Sequence, residues 1–340
     1  MGTNDKPTSF DIATLAGVSQ PTVSRALRGD KTVREGTRKR IEMIARQLNY
    51  AVDKNASSLR RGKSNTLALL FFEDLLPGES WINPFFLSML GPILHTCAKR
   101  GYDLLTSFQQ LSTDWHVDYE DSRKADGIIL LGYGDYEIYR TRLEQLVAQG
   151  THFVRWGSVD QRALGMTIGC DNRRGGRDAG EHLIARGCSR IAFLGDASSH
   201  YPEFRDRYAG LSEVLREAGH GVDPGLHVDA LSTEQSGYEA ASRLIARDVT
   251  FDAIFAGSDL IAIGAMRALD EHGLSVPGDV ALIGFDDIPA AGLTRPPLTT
   301  IAQDYLRAGE VLVDALIGQI DRTPVMPTLL APRLVTRMTA

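Results

Sequence analysis

DIATLAGVSQPTVSRALRG, residues 11–29, reads as two short helices joined by a glycine turn. Thr8-x-x-Asp11 has the spacing of a capping box and opens a helix that runs through Leu15. Gly17 breaks it, and Ser19 is placed to cap a second helix, Gln20 to Arg28, which Gly29 closes. Pro21 falls in the first turn of that helix, where a missing N–H costs nothing. Further on, Ile41, Ile44, Ala45 and Leu48 recur at i, i+3, i+4 and i+7, the apolar stripe of a third helix. Three short helices with a glycine turn between the first two are a helix-turn-helix arrangement, whose second helix enters the major groove of DNA. The exposed candidates there are Gln20, Thr22, Ser24 and Arg25. Arg25 has the paired donors that match guanine, and Gln20 the donor and acceptor that match adenine. Thr22 and Ser24 reach phosphate or serve structure. A bare three-helix bundle needs no nucleic acid, so charge is the next test.

The net charge of −6 is unevenly spread. Residues 1–63 hold 13 Lys+Arg against 6 Asp+Glu, and the remainder 24 against 37. A basic head on an acidic body attracts a polyanion at one end only, although a basic surface without a partner has the same count. With 43% hydrophobic and 24% charged residues over 340 positions, the composition is that of a globular chain of two or three domains. No apolar run reaches bilayer length, and MGTNDKPTSF lacks the apolar core of a secretory signal. Cys97, Cys170 and Cys188 are odd in number and scattered, which fits a reducing cytoplasm and gives no metal spacing.

From Thr66 onward, short apolar runs alternate with amphipathic stretches. Strands are expected at Leu67–Phe72, Asp103–Ser107, Gly127–Leu131, Ile191–Gly195, Ala253–Ala256 and Val280–Phe285. Helices are expected at Phe85–Arg100, Arg173–Arg186, Arg205–Ala218, Ser236–Arg247 and Leu260–His272. Buried strands alternating with helices imply parallel, doubly wound sheets, and the length implies two lobes. No phosphate-binding glycine motif follows the first strand, and Leu130-Leu131-Gly132-Tyr133-Gly134 reads as a strand end near a pocket.

The run at 11–29, with TRKRIEMIARQLNY and ASSLRRGKSNTLALL after it, resembles the head and hinge of the lactose/galactose-repressor family. In that family a hinge segment folds on DNA and drives a leucine into the minor groove. Ala56-x-x-Leu59 matches that segment, making Leu59 either the wedge or a plain linker residue. Val52 and Ser57 depart from the proline and arginine frequent in the family, while Lys54, Arg60, Arg61 and Lys63 remain as a basic collar. Asp171-Asn172-x-x-Gly175-Gly176, HLIARGCSRIAFLG, Arg207-x-x-Gly210, VPGDVALIGFDD and PPLTTIAQD extend the resemblance over nearly the whole chain.

The resemblance implies a small all-α head and an α/β, two-lobed domain like the type I periplasmic sugar-binding proteins. The expected bounds are 1–52 for the head, 53–65 for the hinge and 66–340 for the effector and dimerisation domain. Within the last, 66–165 with 300–324 form one lobe and 166–299 with 325–340 the other, with crossings near 160–190, 288–302 and 322–330. Carried over by position, the cleft residues are Asp171, Arg207, Ser258 and Asp286, with Phe85 and Phe86 where the family places ligand-facing apolar groups. Charged groups would bond sugar hydroxyls and an aromatic face would cover C–H groups. Each has a second reading. Arg207 and Asp286 could pair structurally, and Asp171 could only cap its helix. One phenylalanine could pack in the core while the other faces the cleft. The long loop at 75–81 either reaches over the cleft or is plain surface.

The expected function is a homodimeric repressor of carbohydrate genes. It reads a pseudo-palindromic operator, is switched by a small effector, a neutral sugar first, with a carboxylate met by Arg207 or a purine stacked on an aromatic face as the alternatives, and needs no metal or cofactor. A secreted solute-binding protein would need a signal and no basic head. An enzyme on this fold would show a nucleophile elbow, a metal cluster or a phosphate loop. The eight histidines are isolated, with His95, His182 and His220 read as helix-surface or helix-end residues.

Overall fold

The computed structural model describes residues 7–27, 29–50, 63–72, 82–132, 134–159 and 164–340. The chain separates into compact units of residues 1–64 and 65–340. Ala56, Leu59 and Arg60, with the 75–81 loop, lie outside the described residues.

In the first unit, α1 (Ser9–Ala16), α2 (Gln20–Leu27) and α3 (Glu35–Gln47) enclose a small core of Ile12, Ala16, Val23, Ala26, Ile41 and Ile44. The capping box forms as expected: the Thr8 N–H donates to Asp11 Oδ2 at 2.8 Å and the Asp11 N–H to Thr8 Oγ1 at 3.4 Å. Gly17 adopts φ +64, a left-handed conformation that a side chain disfavours, and this turns the chain from α1 into α2.

In the second unit, β1 (Thr66–Phe71), β2 (Asp103–Phe108), β3 (Ile128–Leu131), β4 (Phe153–Trp156), β5 (Met166–Cys170) and β11 (Thr328–Leu330) form one sheet in the order β11-β5-β4-β3-β1-β2. The other sheet has the order β12-β10-β9-β8-β6-β7, from β6 (Ile191–Leu194), β7 (His227–Val228), β8 (Ala253–Ala256), β9 (Ala281–Asp286), β10 (Thr299–Ala302) and β12 (Arg333–Val335). All pairings are parallel except β10 with β12. Strand β1 shows why its sequence is a continuous apolar run: Leu67, Leu69 and Phe71 enter one core cluster while Ala68 and Leu70 enter the other. The helices are α4 (Pro84–Arg100), α5 (Tyr136–Gln149), α6 (Asn172–Ala185), α7 (Pro202–Glu217), α8 (Glu234–Ala246), α9 (Asp259–Glu271) and α10 (Tyr305–Ile320).

The lobe bounds need correction. Strand β5 (Met166–Cys170) and β11 (Thr328–Leu330) belong to the first sheet, and β10 (Thr299–Ala302) to the second. The chain therefore crosses between lobes near 171, 303–304 and 331–332, each time after a strand is complete. Asp171 and Asp304, which cap α6 and α10, mark the first two of these points. A strand keeps its ladder bonds to its end, so the crossing follows the strand and does not divide it.

Helices α6 and α7 pack backbone to backbone. A Cβ on Gly176 would lie 2.0 Å from the Arg207 carbonyl oxygen, and one on Gly210 would lie 2.1 Å from that of Arg173. This contact explains Gly176 in Asn172-x-x-Gly175-Gly176 and Gly210 in Arg207-x-x-Gly210, while a Cβ on Gly175 would lie 2.6 Å from the Phe285 ring. Gly176→Ala is expected to destabilise the domain by about 1–3 kcal/mol, the usual cost of overpacking, because the obstacle is backbone. An unchanged urea midpoint would show that the helices separate freely.

Candidate nucleic-acid interface and effector site

On α2, Arg25 is exposed, and Thr22 and Ser24 are half-buried. Gln20 is half-buried too, and its Nε2 donates to Ser9 Oγ at 3.1 Å, so it is partly drawn back onto α1 instead of standing free. The Arg25 Nε makes only a long 3.4 Å bond to the Pro21 carbonyl. Lys31, Arg34, Lys39 and Arg40 are exposed on the same unit, giving it the sequence-independent attraction for phosphates.

The effector positions expected from the sequence converge, but on each other. Arg207 on α7 is fully buried; its Nε donates to Asn172 Oδ1 at 2.8 Å and its Nη1 to the Gly257 carbonyl. Its guanidinium lies 3.6 Å from the centroid of the Phe285 ring and 3.7 Å from Asp286 Oδ1. Gln303 Nε2 donates to the same Asp286 oxygen at 2.6 Å. Both ends of the ion pair belong to the second lobe, so it does not span the cleft. Asp286 and Asp287 have φ 113 and 55, conformations held against side-chain strain. Asp259, fully buried, holds them there: Oδ2 accepts the Ile288 N–H at 2.8 Å and Oδ1 the Thr300 hydroxyl at 2.5 Å. Burial first, then the nearby Asp286 charge, pushes the Asp259 carboxyl well above its ordinary 3.8.

The other expected positions are also structural in this conformation. Asp171 Oδ1 caps α6 by accepting the Arg174 N–H at 2.9 Å. Ser258 is buried, caps α9 and receives the Ser232 hydroxyl at 2.9 Å. Phe85 and Phe86 stack edge to face at 5.1 Å, and both are buried in the core, so neither faces an open cleft. Adjacent helical residues need not diverge where helix and neighbouring lobe both cover them.

Open space occurs beside this network, at the seam where the two lobes meet. A pocket of about 310 Å³ is lined by Tyr136, Glu137, Arg140, Arg155, Ser158 and Leu164 from the first lobe and by Ser199, Pro202 and Arg205 from the second. A smaller space behind it, about 50 Å³, touches Gly132, Gly134, Tyr136, Arg155, Trp156 and Glu203. Both lie against Arg155 of β4 and the N-terminal turn of α5, and the glycine-bearing end of β3 lines the inner space as its sequence suggested. Arg155 is the residue that sequence reasoning missed. Its signal was a lone cation inside the apolar strand Phe153-Val154-Arg155-Trp156.

Direct bonds close the seam. The Ser158 N–H donates to Glu203 Oε1 at 2.8 Å and its hydroxyl to Asp206 Oδ2 at 2.6 Å. Asn83 Nδ2 donates to Ser232 Oγ at 3.0 Å. His200 Nδ1 lies 2.8 Å from both oxygens of Asp135, beside a 2.9 Å bond from the Tyr136 N–H to the His200 carbonyl. The hydrogen bond to Asp135 raises the His200 pKa above 6.5, with the Glu137 and Asp196 charges adding in the same direction. The charged form of this latch is complete below the ordinary histidine value and is lost as pH rises through the raised one. Lobe opening should therefore increase above neutral pH, and His200→Gln should flatten the trend. A dye pair placed across the seam measures it; a pH trend that survives the substitution would exclude the latch as its cause.

Burial pushes the Cys97 and Cys170 thiols up to about 11 and about 12, so neither supplies a thiolate. Among the described residues no group of three His, Cys, Asp or Glu could hold a metal, and no helix is long and apolar enough to cross a membrane.

These features can be set beside known proteins. Residues 10–53 match the family described as bacterial regulatory proteins, lacI family, and residues 181–340 match the periplasmic binding protein-like domain. The ribose operon repressor of Escherichia coli strain K12 is 30% identical over 330 residues, 96% of each chain. The transcriptional repressor PurR of Actinobacillus pleuropneumoniae is 30% identical over 339 residues, again 96% of each. Among solved structures, the Lac repressor dimer bound to operator and an anti-inducer aligns with a TM-score of 0.81 at 26% identity, over 98% of this chain and 99% of that one. The regulator CelR in complex with cellobiose aligns at 0.73 and 28%, over 98% and 100%. With a helix-turn-helix head, two doubly wound lobes and relatives matched end to end, this chain belongs to the lacI family of bacterial regulatory proteins and is a DNA-binding transcriptional regulator.

Proposed function

We propose that the protein is a cytoplasmic, homodimeric repressor of carbohydrate-utilisation genes whose operator affinity is set by a small sugar-type effector held at the lobe seam. It carries no cofactor and performs no catalysis. The observation that carries this reading is the pairing of an exposed Arg25 on a three-helix head with a two-lobed body enclosing a ligand-sized pocket. Arg25 reads guanine, Gln20 swings from Ser9 to reach a base, and Thr22 and Ser24 meet the backbone. Leu59 wedges the minor groove between Ala56 and Arg60. Phe85, Phe86, Asp171, Arg207, Ser258 and Asp286, the positions expected to hold effector, brace the elements behind the seam in this conformation and would meet a ligand only after rearrangement. Dimerisation is supported by Leu87 and Leu94, about half exposed and two turns apart on one face of α4, and by exposed Leu105 on edge strand β2, the element that follows α4.

The test is to select DNA from a random pool with the intact protein, then titrate the selected sequence with and without sugars. Enrichment of a two-fold site with half-sites about one helical turn apart is expected. A sugar that changes operator affinity must have its own affinity changed by the same factor when operator is present. Failure to enrich any sequence would end the regulator reading, and a sugar that binds without this reciprocity would end the switch.

A further inference from the structure

We infer that Glu203 selects the effector, and that the ligand it selects is a neutral monosaccharide held through two adjacent hydroxyls. The inference rests on the sugar-effector reading and deepens it by naming the group that reads the sugar. Glu203 stands in the first turn of α7, on the second lobe, and lines the inner space together with Arg155 and Trp156 of the first. It is only 9% exposed, and among the described residues its carboxylate makes no ion pair. The Ser158 N–H, 2.8 Å from Oε1, is the one hydrogen bond its side chain makes among those residues. A carboxylate offers about four acceptor sites, and a buried one with a single donor is costly. The other sites are left for whatever fills the space that Glu203 lines, and a hydroxyl placed there gains a charge-assisted bond.

The charges around the space disfavour both ionic classes of ligand. Arg155 lines it beside Glu203, and the outer pocket carries Arg140 and Arg205 with Glu137. A cation there meets the guanidiniums and an anion meets the carboxylates, each a like-charge contact. A hydroxyl both donates and accepts, so it suits either neighbour. Gly157 lets the two deepest charges converge: a Cβ on it would lie 2.7 Å from Arg155 Nη1 and 3.0 Å from Glu203 Oε1. Volume then sets the layout. The inner space, about 50 Å³, holds roughly three to five water-sized groups at ~10–15 Å³ each, too little for a ring. One edge of a ring, with two neighbouring hydroxyls, fits there against the two oxygens of Glu203. The ring itself occupies the outer pocket beside Tyr136 and Leu164. At about 310 Å³ that pocket is at the small end of ligand sites, roughly 300–1,000 Å³, which suits one ring better than two. An acid in the first turn of a helix also steadies the helix, and the experiment has to separate that role from ligand selection.

The experiment is calorimetric titration of the intact protein with glucose, galactose, mannose, xylose and ribose, and with cellobiose and lactose as two-ring sugars. The monosaccharide that binds most tightly is then compared with its monodeoxy, amino and uronic forms. The neutral sugar is expected to bind at least about tenfold more tightly than either ionic form. Removing either of two adjacent hydroxyls should cost at least about tenfold, and those two losses should exceed all others. Glu203→Gln keeps the side chain's length and an oxygen for the Ser158 N–H but removes the charge, so it should erase both losses without lowering the thermal melt. Losses that survive Glu203→Gln, or an ionic form that binds as tightly as its parent, overturn the assignment and leave the sugar regulator standing. Binding of a two-ring sugar alone does the same. Should Glu203→Gln fail to fold, the wild-type series still decides, because losses spread evenly around the ring overturn the assignment. If none of these sugars binds, the sugar reading falls and this inference with it.

Discussion

Arg25→Ala is expected to weaken specific operator binding by about 2–6 kcal/mol, roughly 30-fold to 10⁴-fold, with the thermal melt unchanged. Each bidentate arginine–guanine contact discriminates by about 1–3 kcal/mol, and a dimer makes the contact twice. The fold should be indifferent because Arg25 is exposed and the hydrogen bond of its side chain to the Pro21 carbonyl, at 3.4 Å, is marginal. Specificity at one position in each half-site should relax, while the salt dependence of non-specific binding hardly changes, since Lys31, Arg34 and Arg40 keep the phosphate attraction. Fluorescence anisotropy on the selected site and on a scrambled one measures both quantities. A uniform loss on both DNAs would reassign Arg25 to a phosphate.

The largest loss of stability is expected from Arg207→Ala, about 3–5 kcal/mol. Removing the guanidinium leaves Asp286, only 2% exposed, as a buried carboxylate without its cation, and strands the oxygens of Asn172 and Gly257. It also empties a volume now filled against Phe285. Urea unfolding should show a lower midpoint, and Arg207→Lys should recover only part, because an ammonium cannot serve a carbonyl, an amide and an aromatic face together. A loss below about 1 kcal/mol would mean that the network is expendable and that Arg207 is kept for something else. A ligand that fails to bind Arg207→Ala therefore says nothing by itself about the pocket.

The sequence was most legible where one residue determines local geometry. Thr8, Asp11 and Gly17 place α1, and the six strand runs read from apolar residues all appear as strands within about a residue of each end. Strands β4, β5, β7, β10, β11 and β12 escaped notice because they are short and their sides are set by partners distant in the chain. The same cause blurred the lobe bounds. The site was legible in its residues but not in its layout. Arg207, Asp286 and Ser258 do come together, yet local sequence could not show that they saturate one another. Nor could it show that Arg155, Tyr136 and Ser199 would surround the space left open.

The bonds at the seam share a design with a kinetic consequence. Asn83 Oδ1 caps α4 with the Phe85 N–H at 3.0 Å while its other end reaches Ser232 across the seam. Asp135 Oδ1 caps α5 through the Glu137 and Ile138 N–H groups while it holds His200. Ser258 caps α9 at the far end of the Asn83–Ser232 chain. When the lobes part, each of these side chains keeps its helix and releases only its outward bond, to polar groups that water can satisfy at once. Neither lobe frays, and the rupture leaves no buried group orphaned. Opening is then a shallow, rapidly reversible step in place of a local unfolding, and a ligand with only modest preference for one state can tip the balance.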